Sequence, residues 1–271
     1  MEFTSAEGLA QEMRRQIITM LAASKSGHPG GSLSVTDILA VLYQSEMHID
    51  PAQPADPERD RLVLCKGHAA PALYAALALR GYFPVEELSD LRKLGSNLQG
   101  HPDMHKLAGV DMSTGSLGQG LSAACGMALA GKLDQKAYNV YAVMGDGENE
   151  EGQIWEAVMF AAHYKLDKLI AFLDHNKLQI DGNITSVMSP EPLDEKWAAF
   201  GWHVQIIDGH DAAAIKAAIA VAKSVKDQPS IIIAETIKGK GVSFMENQAG
   251  WHGSAPNAEQ TAQALAELGG K

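Results

Sequence analysis

Alternating apolar runs and amphipathic stretches predict an α/β chain: a central parallel sheet with helices on both faces. Three observations carry this. Four strand-length apolar runs recur at 139–144, 168–173, 202–207 and 230–235. They read as continuous, as strands covered on both faces do. Helical spacing fills the intervals between them, near 152–163, 190–200 and 211–226.

The N-terminal half is mostly helical. Leu9, Met13, Ile17 and Leu21 draw one apolar face along a helix at 5–25. Residues 32–45 and 68–80 also read as helices, the second rich in Ala and Leu and expected to be buried. Between them a Pro-rich loop (Pro51, Pro54, Pro57) leads into a short strand at Leu62 to Leu64. A helix at 116–131 is crowded with small residues, which lets another backbone approach closely. Asp211 stands as an N-cap before the helix at 211–226. The tail reads as a short final helix. With no repeat, low-complexity tract or linker, residues 1–271 are expected to form a single domain.

Bulk properties narrow the function. A chain of 271 residues with 46% hydrophobic content can bury a large core, hiding about three-quarters of its unfolded surface. Against 22 basic residues stand 33 acidic ones, a net charge of −11, which argues against nucleic acid or an anionic membrane as partner. Cys65 and Cys125 offer neither a disulfide framework nor zinc spacing and suit a reducing compartment. No apolar run reaches membrane-spanning length, and the N-terminus lacks the order of a secretory signal. A cytoplasmic location is expected.

The most informative stretch is GDGENEEG (145–152) with DHNKLQIDG (174–182) after the next apolar run. Asp146 and Asn176 lie 30 positions apart, the length of one strand–helix–strand unit, so both can reach one point at the sheet's C-terminal edge. A carboxylate and an amide oxygen meeting there form a hard-cation site, suited to Mg²⁺ and through it a diphosphate. A Gly-Asp-Gly triplet alone marks only a turn; its pairing with Asn176 at crossover spacing is the signal.

Other loops carry the remaining polar chemistry. His28 lies in SGHPGG, His68 at the end of RDRLVLCKGH, and His101 in GHPD. STGSLGQG (113–120) is a Gly-rich loop whose backbone donors can face a phosphate or an aromatic ring. Lys238 and His252 follow the last strand in KGKG and WHG. Any one of these histidines, taken alone, reads as a cap or a loop brace. Together they occupy the loops where an open parallel sheet binds its ligand. His48, His105, His163, His203 and His210 read as surface or core residues.

These motifs, in this order over residues 5–253, resemble the N-terminal, diphosphate-binding part of transketolases. The resemblance implies a thiamine-diphosphate-binding fold. It places Mg²⁺ (with Ca²⁺ or Mn²⁺ able to substitute) on Asp146, Asn176 and the Leu178 carbonyl. Gly145, Gly147 and Glu148 would continue the diphosphate loop, and Gly115 and Leu117 would touch the aminopyrimidine. Glu151 would face a partner's active site. His68, Lys238 and His252 would contact the cofactor, with His28, His101 and His252 as the catalytic imidazoles. Cys65 and Lys66 depart from the small polar pair usual before the second histidine.

By that resemblance the activity is transfer of a two-carbon ketol unit from a ketose to an aldose, both sugars or sugar phosphates. Each step moves a hydroxyl proton, work suited to neutral imidazoles. The family's pyrimidine-binding and C-terminal domains fall outside the eighteen residues after Gly253. The expectation is therefore one subunit of a split enzyme or a fragment; the finished C-terminal helix favours the split enzyme, paired in an α2β2 assembly with a complementary C-terminal subunit. Three rivals share features: a split 1-deoxyxylulose-phosphate synthase-like enzyme, a non-catalytic cofactor-binding scaffold, and a 2-oxoacid dehydrogenase α-type subunit.

Overall fold

A computed structural model describes residues 3–269. In chain order the elements open with α1 (Ala6–Ser24), α2 (Pro29–Ser34), α3 (Thr36–Val41), β1 (Arg61–Leu64), α4 (Ala70–Leu79) and α5 (Gly120–Leu133). β2 (Val140–Gly145), α6 (Gly152–His163), β3 (Leu169–His175), β4 (Leu178–Gln179) and β5 (Gly182–Asn183) follow. α7 (Ile184–Val187), α8 (Leu193–Ala199), β6 (His203–Asp208), α9 (Ala212–Ser224), β7 (Ser230–Glu235) and α10 (Ala258–Glu267) complete the described chain.

The central sheet is parallel throughout, in the order β1-β2-β3-β7-β6. Its period of two sends alternate residues to opposite faces. Tyr141, Val143, Ile170, Phe172 and Ile232 pack on one side with α1, α3, α4 and α9. Val140, Ala142, Met144, Leu169 and Ile231 pack on the other with α5, α6 and Trp197 of α8. Phe172 is fully buried, and deleting its ring would cost about 3–5 kcal/mol. In register, Gly145 pairs with Asp174 and His175 with Glu235, which brings the strand ends together.

Several local expectations shift. The helix expected at 32–45 starts at Pro29, whose fixed φ suits a first turn, and divides at Val35. Ser32 and Thr36 hydroxyls donate to the carbonyls of His28 and Ser32, four residues back, a bonding that bends helices. A π turn, Leu42–Glu46, ends the segment. The 68–80 helix begins with a 3-10 turn, Gly67–Ala69. The 116–131 helix starts only at Gly120, because Gly115 and Gly118 hold positive φ (142° and 86°) in the preceding loop. Pro190 and Pro192 delay the 190–200 helix to Leu193. β6 is not a fully covered strand: it lies at the sheet's edge, with Ile206 58% exposed.

The expected cap matches: Asp211 caps α9 through Ala213 and Ala214 N–H. Ser5 also caps α1, and Asn257 with Gln260 forms a capping box on α10. Among the described residues no helix is long and apolar enough to cross a membrane.

Candidate functional site

The C-terminal edge of the sheet carries a buried polar corner. Asp146 follows β2, with one oxygen accepting from Gly147 N–H (2.8 Å) and the other from Lys177 N–H. Asn176 follows β3; its Oδ1 accepts from Leu178 N–H at 3.2 Å. The Leu178 carbonyl accepts from Lys238 Nζ at 3.0 Å and keeps a second lone pair. Burial and the Asp174 charge push the Asp146 carboxyl up to about 6, against the two N–H donors. A divalent cation placed here would compensate that burial. Among the described residues no three His, Cys, Asp or Glu side chains form a metal cage. The corner instead gathers a carboxylate, an amide and a main-chain oxygen, a donor set that fits Mg²⁺ sharing its shell with phosphate oxygens.

The cavity beside this corner has tight backbone walls. It is lined by Gly31, Gly145 and Gly147 together with Lys66, Lys238 and Gln179. A Cβ on Gly31 would stand 3.3 Å from both His68 Nε2 and Lys66 Nζ. One on Gly30 would come within 2.9 Å of Lys238 and the Trp251 carbonyl. Only glycine leaves such room for a group approaching these cations. Lys238, which a position between a strand and glycines could leave solvated, is 2% exposed. Burial and the neighbouring Lys66 lower its ammonium to about 8, so it remains largely charged at neutral pH.

Four loops bring His28, His68, His101 and His252 into one cluster. Ring centroids lie 5.3 Å apart for His28–His68, 5.4 Å for His28–His252, 5.0 Å for His68–His252 and 6.3 Å for His28–His101. All four imidazoles are lowered from their ordinary value. Burial, with Arg92 and His101 adding, lowers His28 to about 4; burial and Lys238 take His252 to about 3. His68 falls well below its ordinary value through burial and Lys66, and His101 is lowered by burial and Arg92. Lys238 has only protons to give, so His252 Nδ1 accepts (2.9 Å) and its Nε2 carries the hydrogen. His28 Nδ1 is buried with no hydrogen-bond partner among the described residues.

The Gly-rich loop closes one side. Gly115 presses on His101, where an added Cβ would sit 2.8 Å from the ring. Leu117 lines the cavity and is 36% exposed. Glu148 lines the cavity, and its carboxylate joins Gly118 N–H to Gly145 N–H. Burial pushes that carboxyl up to about 7, opposed by the two donors. Glu151 is exposed and packs its stem on Gly118.

His48, His105 and His163 lie at the surface, and His203 is half-buried in β6. His210 is a brace: its Nε2 accepts from Ile237 N–H and its Nδ1 faces Asp37 at 2.6 Å. Sequence reasoning missed Lys66, Gln179 and Ile180 in the cavity lining, and Asp174 buried behind Lys66. Gln179 ends β4 and Ile180 lies in the turn of the β4–β5 hairpin, which is too short to show a period. Lys66, two residues after β1, occupies the kind of position that the ligand rule for parallel sheets singles out.

Residues 5–271 match the family described as transketolase, thiamine diphosphate binding domain. The chain is 52% identical to the 6-deoxy-6-sulfo-D-fructose transketolase subunit SqwG of Clostridium sp. (strain MSTE9), covering 96% of this chain and 94% of that one. It is 40% identical to an apulose-4-phosphate transketolase subunit of Phocaeicola vulgatus, covering 99% and 95%. Human transketolase is 43% identical over 96% of this chain, which spans 41% of the human protein. Transketolase from Leishmania mexicana superposes with a TM-score of 0.94 at 31% identity, over 100% of this chain and 42% of that one.

Proposed function

The chain belongs to the transketolase family, and we propose that it works in a split transketolase, where it is the N-terminal, diphosphate-binding subunit. In this reading a two-carbon ketol unit passes from a ketose to an aldose, with thiamine diphosphate and Mg²⁺ bound in the cavity. The complementary subunit carries the pyrimidine-binding and C-terminal parts, in an α2β2 assembly in the cytoplasm. Two relatives of nearly this chain's own length are named as transketolase subunits, which supports the subunit reading. One is named for a sulfonated ketose and the other for a phosphorylated sugar, so the donor proposed here is an anionic ketose.

The carrying observation is the clustering of four imidazoles beside the Asp146–Asn176–Leu178 corner. Asp146, Asn176 and the Leu178 carbonyl would hold the cation, and Lys238 would offset diphosphate charge. Thiamine diphosphate supplies, when bound, the nucleophilic carbon that carries the ketol unit. His28, His101 and His252 hold and move the protons of sugar hydroxyls; the Nε2 hydrogen of His252, fixed by Lys238, is a donor. Exposed Ile180 and Leu117 leave the aminopyrimidine side for a second protein surface.

Reconstitution tests this. The chain mixed with its complementary subunit should transfer a ketol unit from an anionic ketose, and the chain alone should not. Robust turnover by the lone chain would overturn the subunit reading. Turnover only with pyruvate as donor, releasing carbon dioxide, would move the protein to the 1-deoxyxylulose-phosphate synthase-like class.

A further inference from the structure

Lys66 and Asp174 lie 108 positions apart and meet as a buried ion pair. Lys66 is 2% exposed and Asp174 fully buried. The ammonium also donates to the Gly31 carbonyl at 3.0 Å. Asp174 collects further donors: the Ser34 hydroxyl at 2.5 Å, the Thr236 hydroxyl, and Asn176 Nδ2 at 3.4 Å. Burial would raise the Asp174 carboxyl, but the Lys66 ammonium and these hydroxyls outweigh it and hold it low.

We propose that Lys66 is a positioning residue: through Asp174 it fixes the Asn176 amide with its oxygen toward the cation corner. This rests on the reading of that corner as a cation and diphosphate site. A side-chain amide can turn over and exchange oxygen for nitrogen, so something must choose. Here the choice is made on both sides. Asp174 Oδ2 offers only lone pairs, and Ser34 has spent its hydrogen on Asp174, so its oxygen also accepts from Asn176 Nδ2 (3.4 Å). On the other side Leu178 N–H donates to Asn176 Oδ1. Lys66 is the charge partner that keeps the Asp174 carboxylate in place. Without it a buried anion loses its partner, and the anchor of the amide nitrogen moves. Groups that orient a metal ligand in this way typically govern affinity by about 10–100-fold.

The test is a Mg²⁺ titration at fixed thiamine diphosphate, read by calorimetry and by turnover, on the full chain mixed with its complementary subunit. Lys66→Met should weaken the Mg²⁺ midpoint by about tenfold or more. Lys66→Met combined with Asp174→Asn removes both charges and should regain melting temperature without regaining Mg²⁺ affinity. An unchanged midpoint in Lys66→Met would overturn the inference. So would recovery of Mg²⁺ affinity in step with melting temperature in the double variant, which marks a pair that serves the fold alone. Asp146→Ala separates the two levels. If it leaves Mg²⁺ and cofactor binding intact, the site reading fails. If it abolishes both while Lys66→Met shifts neither, only the role of Lys66 falls.

Discussion

Glu148 and Gly118 are joined across thirty positions: Glu148 Oε1 accepts the Gly118 N–H at 3.0 Å, while Oε2 accepts the Gly145 N–H at 3.1 Å. One buried carboxylate thus ties the loop before α5 to the end of β2. Glutamine at this position keeps a single acceptor and turns an NH₂ against a backbone donor. Glu148→Gln should lower stability by about 1–3 kcal/mol in denaturant unfolding, and loosen cofactor binding with it. A variant as stable as the parent would show the two loops are held by other contacts.

Asp146 stands at a strand end, where losing a carboxylate would remove the proposed cation ligand without opening the core. Asp146→Ala should weaken thiamine diphosphate binding by at least about a hundredfold in calorimetry, with circular dichroism unchanged. Cofactor affinity equal to the parent's would place the site elsewhere.

His101 is expected to act on the substrate more than on the cofactor. A positioned acid–base group contributes about a hundredfold or more to rate, whereas replacing a loop brace lowers stability by about 1 kcal/mol. His101→Ala in the two-chain enzyme should leave cofactor affinity and melting nearly unchanged and reduce turnover about a hundredfold. Early melting with normal turnover would make His101 a brace. Gly115→Ala should mimic part of the loss, since its methyl meets the His101 ring.

Acid should destabilise the fold through the imidazoles. His28 and His252 are held at about 4 and about 3, below the ordinary imidazole value of 6.5. Between those values the unfolded chain binds more protons, so stability is full above about pH 6.5 and falls as pH drops toward 4. Replacing both with asparagine should remove up to about two protons from the slope of unfolding free energy against pH. An unaltered slope would mean other groups govern acid unfolding.

Much of the scaffold is legible in the sequence. β2, β3 and β7 read as apolar runs because each is covered on both faces, and the crossover between β2 and β3 makes the Asp146–Asn176 meeting foreseeable. β6 reads as equally covered because Ile206 and Ile207 look alike in sequence; only its edge position exposes one of them. Val35 is invisible as a break, since the bend comes from hydroxyls bonding backward along the helix. Lys66 finds its meaning only in Asp174, and no local pattern links residues so far apart. The hairpin that begins at Leu178 has two residues per strand, too few for any period.

The histidine cluster draws on positions 28, 68, 101 and 252, so it is nearly as long in sequence as the protein itself. Its closing member emerges from the ribosome after every strand of the sheet. A nascent chain stopped after β7 could stack its strands and still possess three imidazoles without the fourth. The cluster is therefore completed late in the life of each molecule, and a cut in the loop between Glu235 and His252 would part the fourth imidazole from the other three while leaving every strand of the sheet on one piece.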